Sequence, residues 1–194
     1  MTLAGALAAA FDAGDIAAVL LRLAPADDAT LVRRIKTVAP FVQDRDAALL
    51  IDGHPAICPQ VGADGAHLPD VAALEAALAH LKPAHIAGCG GLQSRHDAML
   101  AGEHGADYVM FGEPDARGFR PFETVLERVA WWAEIFVPPC VAWVTRLDEI
   151  TPLAKAGADF VAVGDGDMKW SDPRGFGAMI AAVRALLKAA EPVS

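Results

Sequence analysis

The chain has 194 residues, a length typical of one domain, and its hydrophobic fraction of 54% comes with a mean hydropathy of +0.33. No apolar run approaches the roughly 20 residues that a membrane-spanning helix needs, and no secretion signal begins the sequence. The net charge of −9, without a basic stripe, argues against nucleic acid as a partner. The three cysteines show no Cys-x-x-Cys spacing, which indicates reduced thiols and a cytoplasmic protein.

Helix-like and strand-like segments alternate along the whole chain. The predicted helices are 2–12, 27–39, 55–61, 71–81, 94–104, 121–136, 147–156 and 173–190. The predicted strands are 16–23, 47–52, 65–69, 85–90, 108–113, 139–144 and 160–165. Asp70, Ser94 and Asp172 stand where helix N-caps stand, and Pro121 suits a first helical turn. No linker or change of composition divides the chain, so we predict a single domain over 1–194.

The tripeptide Gly-Ala-Asp recurs, each time between a helix-like and a strand-like segment. The copies begin at Gly62, Gly105 and Gly157, with a looser one at Ala13-Gly14-Asp15. Each glycine suits the left-handed residue just past a helix, and the apolar strand that follows suits a parallel sheet covered by helices. The repeat predicts an α/β, TIM-like (βα) barrel whose functional residues follow the strands.

The predicted strands number seven, and the sequence opens with a helix, so an eight-stranded barrel would lack a strand. Either the barrel has seven strands, or it is open at one seam, or a neighbouring chain covers the gap, since an open parallel edge is a liability. A doubly wound open sheet is the alternative, because strand–helix alternation alone does not separate the two folds.

Six segments match, in order, the motifs of a known superfamily. Residues 61–68 read Val-Gly-Ala-Asp-Gly-Ala-His-Leu, close to its Val-Gly-Ala-Asp-Gly-Val-His-Leu. The other matching segments are 19–24, 49–53, 105–112, 139–142 and 157–163. From about residue 14 to 165 the chain thus resembles the thiamine phosphate synthase and TenI-like superfamily. The resemblance implies a TIM barrel of thiamin biosynthesis that handles thiazole phosphate and hydroxymethylpyrimidine pyrophosphate, with the first barrel strand missing here.

The magnesium site that the resemblance implies is incomplete in this sequence. The two magnesium aspartates of the family fall on Gly53 and Ala72, and the pyrophosphate-binding lysine falls on Ala24. Asp52 and Asp70 remain as a displaced carboxylate pair that could hold Mg²⁺. We therefore expect no cofactor and a degenerate synthase site, with Mg²⁺ at this pair as the alternative.

Two residues are candidates for acid–base catalysis. TenI-type tautomerases place a histidine where this chain has Glu113, and a carboxylate with a raised pKa could shuttle a proton there. The alternative is a loop charge paired with Arg117 or Arg120. His67 is the second candidate, and a hydrogen-bonded core histidine is its alternative.

The remaining candidates are substrate-binding residues at the predicted strand ends. They are Arg22, Asp52, Cys89, Gly90, Thr145, Gly164, Asp165 and Gly166. Arg22 would anchor an anion, or pair with Asp27 or Asp28 at the surface. Cys89 and Gly90 would let a ligand approach the backbone, or Cys89 is inertly buried. The loop from Gly164 would hold a phosphate on its amides, hold a cation, or form a plain turn.

Three functional hypotheses follow. The first is a thiamine-phosphate-synthase-like protein of thiamin biosynthesis or salvage. It would bind a small phosphorylated heteroaromatic ligand, a thiazole or a pyrimidine, with its synthase site degenerate. The second is a tautomerase that uses Glu113, and the third is a non-catalytic binding or regulatory barrel. The exposed one of Trp131 and Trp132 would mark a contact between copies of the chain, and Trp143 and Trp170 would line the barrel mouth.

Overall fold

The computed structural model describes residues 3–115, 118–164 and 173–190. The helices are α1 (Leu3–Ala13), α2 (Asp28–Gln43), α3 (Cys58–Val61), α4 (Val71–Leu81), α5 (Arg95–Glu103), α6 (Phe122–Ile135), α7 (Ile150–Lys155) and α8 (Pro173–Ala190). The strands are β1 (Ala18–Leu21), β2 (Ala48–Asp52), β3 (Gly65–Leu68), β4 (Ile86–Cys89), β5 (Tyr108–Phe111), β6 (Cys140–Val144) and β7 (Phe160–Val163). Short 3-10 turns at Pro55–Ile57 and Leu147–Glu149 precede α3 and α7.

The chain forms two compact units, one spanning Ile16–Asp107 and one combining Met1–Asp15 with Tyr108–Ser194. In the first unit, β1 to β4 pair in sequence order, all parallel. In the second, β5, β6 and β7 do the same. Neither unit reverses its strand order, as a doubly wound sheet would, so the doubly wound alternative is wrong for both.

Register aligns the carboxyl ends of the strands within each unit. In the first unit Leu21 lies beside Ile51, and Leu68 lies beside Cys89. In the second, Val144 lies beside Val163. Residues that directly follow neighbouring strands of one unit therefore meet at one edge of its sheet, as the sequence analysis expects of functional residues.

The core of each unit consists of strand residues packed under helices. All four residues of β3 and of β5 are buried, as expected of parallel strands covered on both faces. The terminal strands differ, because the side chains of β1 and β7 are mostly half-buried or exposed. In the second unit α1 packs on α8, where Gly14 faces Ile180.

The three full Gly-Ala-Asp copies share one backbone conformation. Gly62, Gly105 and Gly157 have φ of 69°, 91° and 99°, the left-handed region that ends a helix. Gly14 of the looser copy is not among the glycines of positive φ, so this copy is no structural equivalent of the others.

The aspartate of each full copy is bonded reciprocally to the neighbouring strand. The Asp64 amide donates to the Leu49 carbonyl at 2.9 Å, and the Leu49 amide donates to Asp64 Oδ2 at 2.7 Å. Asp107 forms the same two bonds with Ala87, and Asp159 forms them with Cys140. Each carboxylate thus satisfies an amide at the start of the strand that precedes its own.

The predicted elements are all present in the described chain, with shifts at their ends. Asp70 and Ser94 are N-caps as predicted, whereas Pro121 is itself the residue that precedes α6. The predicted N-cap Asp172 lies outside the described residues. None of the helices described is both long and apolar enough to cross a membrane.

Candidate functional site

At the carboxyl ends of β1 and β2, Arg22 and Asp52 form an ion pair. Arg22 Nε donates to Asp52 Oδ2 at 2.8 Å, and the two side chains are 41% and 29% exposed. Asp27, which the sequence offered with Asp28 as a partner for Arg22, caps α2, and its Oδ1 accepts from the Thr30 amide at 2.8 Å. The structure therefore brings together Arg22 and Asp52, two of the predicted substrate-binding residues, as an ion pair.

Asp70, the second member of the displaced carboxylate pair, serves as the N-cap of α4. Its Oδ1 accepts from the Ala73 amide at 2.7 Å. Within the described ranges, no three His, Cys, Asp or Glu side chains are grouped as a metal ion would require. Because Mg²⁺ takes several oxygen ligands, and Asp52 and Asp70 each have a local partner, these residues do not form a site that fits the ion.

His67 lies inside β3 and is 1% exposed. It stands beside Asp52 in the parallel register, and its carbonyl accepts from the Gly53 amide at 2.9 Å. The structure places this residue in the core, the environment of a structural histidine, and its predicted catalytic role stays a prediction.

Cys89 is the last residue of β4 and Gly90 follows it, and both are buried. The Gly90 amide donates to the Leu68 carbonyl at 2.8 Å. At Gly91 (φ 60°), an added Cβ would lie 1.8 Å from the Pro69 carbonyl oxygen. The group that lies close to this glycine is thus the Pro69 carbonyl of the same chain, and not a ligand.

A cavity of about 240 Å³ opens beside the first turns of α4 and α5. It is lined by Asp70, Val71, Ala72, Gly91, Leu92, Gln93 and Asp97. Asp97 Oδ2 accepts from the Gln93 and Ser94 amides at 3.0 and 2.8 Å. The sequence analysis did not single out Asp97, although Ser94-x-x-Asp97 is a capping-box pattern that could have revealed it.

In the second unit, Glu113 follows β5 and is half-buried. Arg120, which the sequence offered as its partner, makes an ion pair with Asp115 at 2.9 Å. Arg117, the other offered partner, lies outside the described residues. Glu113 thus stands two residues beyond the end of β5, and its acid–base role stays a prediction.

Thr145, at the end of β6, is bonded to Glu149. Glu149 Oε2 accepts from the Thr145 and Arg146 amides at 2.8 and 3.2 Å, and the Thr145 hydroxyl donates to Oε1 at 3.1 Å. The sequence analysis missed Glu149, whose position four residues after Thr145 was the available signal. The loop after β6 is thus ordered by its own carboxylate.

Gly164 follows β7 against the ring of Trp143, which an added Cβ would approach to 2.4 Å. Trp143 is buried, and its predicted place at the barrel mouth stays a prediction. The predicted Asp165 and Gly166, together with Trp170, lie outside the described residues.

Comparison with known proteins relates the chain to one family. A family model described as thiamine monophosphate synthase matches residues 1–166. A thiamine-phosphate synthase of Rhodospirillum centenum is 40% identical over 179 residues, covering 90% of this chain and 86% of the relative. One from Hyphomonas neptunium is 36% identical over 184 residues, covering 91% of this chain and 82% of the relative.

Solved structures share the fold. A thiamine phosphate pyrophosphorylase from Pyrococcus furiosus superposes with a TM-score of 0.79 at 21% identity, covering 97% of this chain and 91% of that one. The native KDPGal structure gives 0.71 at 16% identity, covering 96% and 88%. The likeness confirms the predicted fold class, a TIM-like (βα) barrel fold that lacks the first strand.

Proposed function

The chain belongs to the thiamine monophosphate synthase family, and from this premise we propose that it binds a small phosphorylated heteroaromatic molecule, a thiazole or a pyrimidine, with its magnesium-dependent synthase site degenerate. The ligand would bind where the strands end, the edge at which (βα) barrel proteins hold their substrates.

The Arg22–Asp52 ion pair carries this proposal. A guanidinium at a strand end is suited to a phosphate, because its planar donors match phosphate oxygens. A carboxylate bonded to that guanidinium has less negative charge to offer a divalent cation. The pair therefore supports ligand binding through Arg22 and weakens the case for metal binding through Asp52.

The other positions support the same interpretation. The metal positions implied by the resemblance are Gly53 and Ala72, which have no side-chain oxygen, and Asp70 is used as a helix cap. Thr145 can contribute a hydroxyl only by sharing it with Glu149. Over residues 3–115, 118–164 and 173–190, groups suited to holding a ligand are present and no carboxylate set that fits Mg²⁺ is found.

Calorimetry with thiazole phosphate and with hydroxymethylpyrimidine pyrophosphate, each with and without Mg²⁺, tests the proposal. We expect one ligand to bind once per chain with an affinity that Mg²⁺ leaves unchanged. With both ligands and Mg²⁺ present, chromatography should detect little or no thiamine phosphate. Binding of neither ligand would refute the proposal, and synthesis at ordinary enzymatic rates would refute the degenerate site.

A tautomerase is the second candidate, favoured by the half-buried Glu113 two residues beyond β5. A carboxylate in such a place can accept and return a proton. If the protein converts a thiazole phosphate tautomer, Glu113→Gln should abolish turnover while binding persists, and Glu123→Gln in α6 is the charge-matched control. Turnover that survives Glu113→Gln would exclude the carboxylate, and binding without turnover would favour a binding or regulatory protein.

A further inference from the structure

We propose that Asp52 is a specificity-determining residue that offsets the charge of Arg22, so that the site prefers a monophosphate ester to a diphosphate ester. This inference rests on the proposed function and names the ligand class more narrowly. It assigns a role to an acidic side chain that would otherwise oppose an anionic ligand at the same strand ends.

The backbone fixes the two residues as neighbours. Leu21 and Ile51 are partners in the parallel register of β1 and β2, so Arg22 and Asp52 each stand one residue beyond a paired position. Adjacent strands lie about 4.8 Å apart, which two side chains readily span. The sheet therefore places the two side chains within reach of the 2.8 Å bond between Nε and Oδ2.

The pair is partly open to solvent. With side chains 41% and 29% exposed, a ligand group can reach Arg22 without unfolding the strand ends. Any anion that does so also meets the Asp52 carboxylate, whose repulsion grows with the charge of the anion. A diphosphate carries more charge than a monophosphate, so Asp52 discriminates against the diphosphate.

Two other aspartates that follow strands of this unit have structural tasks. Asp27, which follows β1 in the chain, caps α2 through the Thr30 amide. Asp70, which follows β3, caps α4. Among these three carboxylates, Asp52 is bonded to the Arg22 guanidinium. A substitution that removes the charge of Asp52 therefore tests the inference.

Calorimetric titration with inorganic pyrophosphate and inorganic phosphate compares the wild type with Asp52→Asn. Asparagine keeps an oxygen that can accept from Arg22 Nε but carries no charge. We expect pyrophosphate affinity to rise about tenfold or more and phosphate affinity to rise less. Asp52→Ser, measured in parallel, must show the same order of preference, and circular dichroism checks that each variant is folded.

Two controls make the result specific. Asp44→Asn removes the same charge from the exposed residue that ends α2, before β2 begins, and should leave both affinities unchanged. In an Arg22→Ala background, Asp52→Asn should give no gain, because the cation that it uncovers is gone.

Equal pyrophosphate affinities in Asp52→Asn and Asp44→Asn would overturn the inference. A rise in pyrophosphate affinity that Asp52→Asn still gives in the Arg22→Ala background would also overturn it. Because the probes are inorganic, the outcome is separate from the proposed function. If pyrophosphate affinity does not rise in Asp52→Asn while the protein still binds the heteroaromatic ligand, only the role of Asp52 is refuted. If pyrophosphate affinity rises but the protein binds no heteroaromatic ligand, only the proposed function is refuted.

Discussion

At the scale of single residues, the aspartates of the Gly-Ala-Asp repeat bond to the neighbouring strand through both backbone and side chain. Asp64 accepts from the Leu49 amide at 2.7 Å and from Gln43 Nε2 at 3.0 Å. Removing such an acceptor leaves a part-buried amide without its partner. The resulting loss of stability exceeds the net contribution of one hydrogen bond, because the unpaired amide has also lost its contact with water.

We predict that Asp64→Ala lowers the free energy of unfolding by about 1–3 kcal/mol, because the Leu49 amide and Gln43 both lose their acceptor. Asp64→Asn keeps one oxygen and should lose less. Urea denaturation followed by circular dichroism measures both variants. An alanine variant as stable as the wild type would show that the reciprocal bonds do not stabilise the unit.

Burial raises the pKa of the Cys58 and Cys140 thiols to about 11 from an ordinary value of 9.0. The neutral thiol is thus favoured in the folded state, so its contribution to stability is complete below pH 9.0 and is lost as pH rises towards about 11. We predict that iodoacetamide near pH 8 alkylates both residues about a thousandfold more slowly than a free thiolate.

Peptide mass spectrometry measures the alkylation of Cys58 and Cys140 in the folded protein, with denatured protein as the control. Rapid alkylation of either residue in folded protein would contradict burial of that thiol. The same treatment tests whether the cysteines are structural and inert, as the sequence analysis considered for Cys89.

The glycines of the repeat could be interpreted from the sequence, whereas the hydrogen-bond partners of its aspartates could not. A glycine stop after a helix is a local signal, visible in consecutive residues. The partner of Asp159 is Cys140, on another strand, and a single sequence does not show which strand lies alongside. The same limit hid the Arg22–Asp52 pair, because each residue was assessed without its neighbour across the sheet.

At the scale of elements, strong local signals placed helix ends well. The helix predicted over 71–81 is observed as α4 (Val71–Leu81), because Asp70 caps it as expected. The strand predicted over 16–23 is shorter, Ala18–Leu21, since apolar composition extended the prediction beyond the residues that pair with β2. Apolar runs mark a strand, and the partner strand decides its length.

Substitutions at two glycines in the first unit distinguish the cost of a left-handed backbone from the cost of a steric clash. Gly62 and Gly91 both have positive φ, at 69° and 60°, but only Gly91 has another backbone atom against its missing side chain. We predict that Gly62→Ala loses about 1–2 kcal/mol from the left-handed conformation alone. Gly91→Ala should lose more, because the Pro69 carbonyl must move.

Thermal and urea unfolding of the two alanine variants would be compared under identical conditions. Equal losses would mean that the loop after β4 relaxes freely around a methyl group. A larger loss for Gly91→Ala would show that the chain, and not a ligand, sets the requirement for glycine there.

At the scale of the whole molecule, fold class was predictable because the order helix, glycine, strand recurs along the chain. Strand order was not, because alternation is common to barrels and doubly wound sheets. Sequential pairing within each unit and the likeness to the Pyrococcus furiosus structure decide between them. The prediction of a single domain over 1–194 remains a prediction.

Aromatic residues are distributed so that this prediction can be tested. All four tryptophans lie in the segment Tyr108–Ser194, so intrinsic fluorescence reports on the second unit. Cys58, in the first unit, reports on that unit through alkylation. If the chain is one cooperative domain, both signals should change at the same urea concentration. Two separated midpoints would mean that the units unfold independently.

The reciprocal aspartate bonds have a consequence for how the protein is made. They join residues 15, 20 and 19 positions apart, so each closes within a short piece of chain. Loops of this length close at small entropic cost, and proteins rich in such nearby pairings fold quickly. Successive strand pairs can therefore be completed one after another as the polypeptide leaves the ribosome, before its last helix has been synthesised.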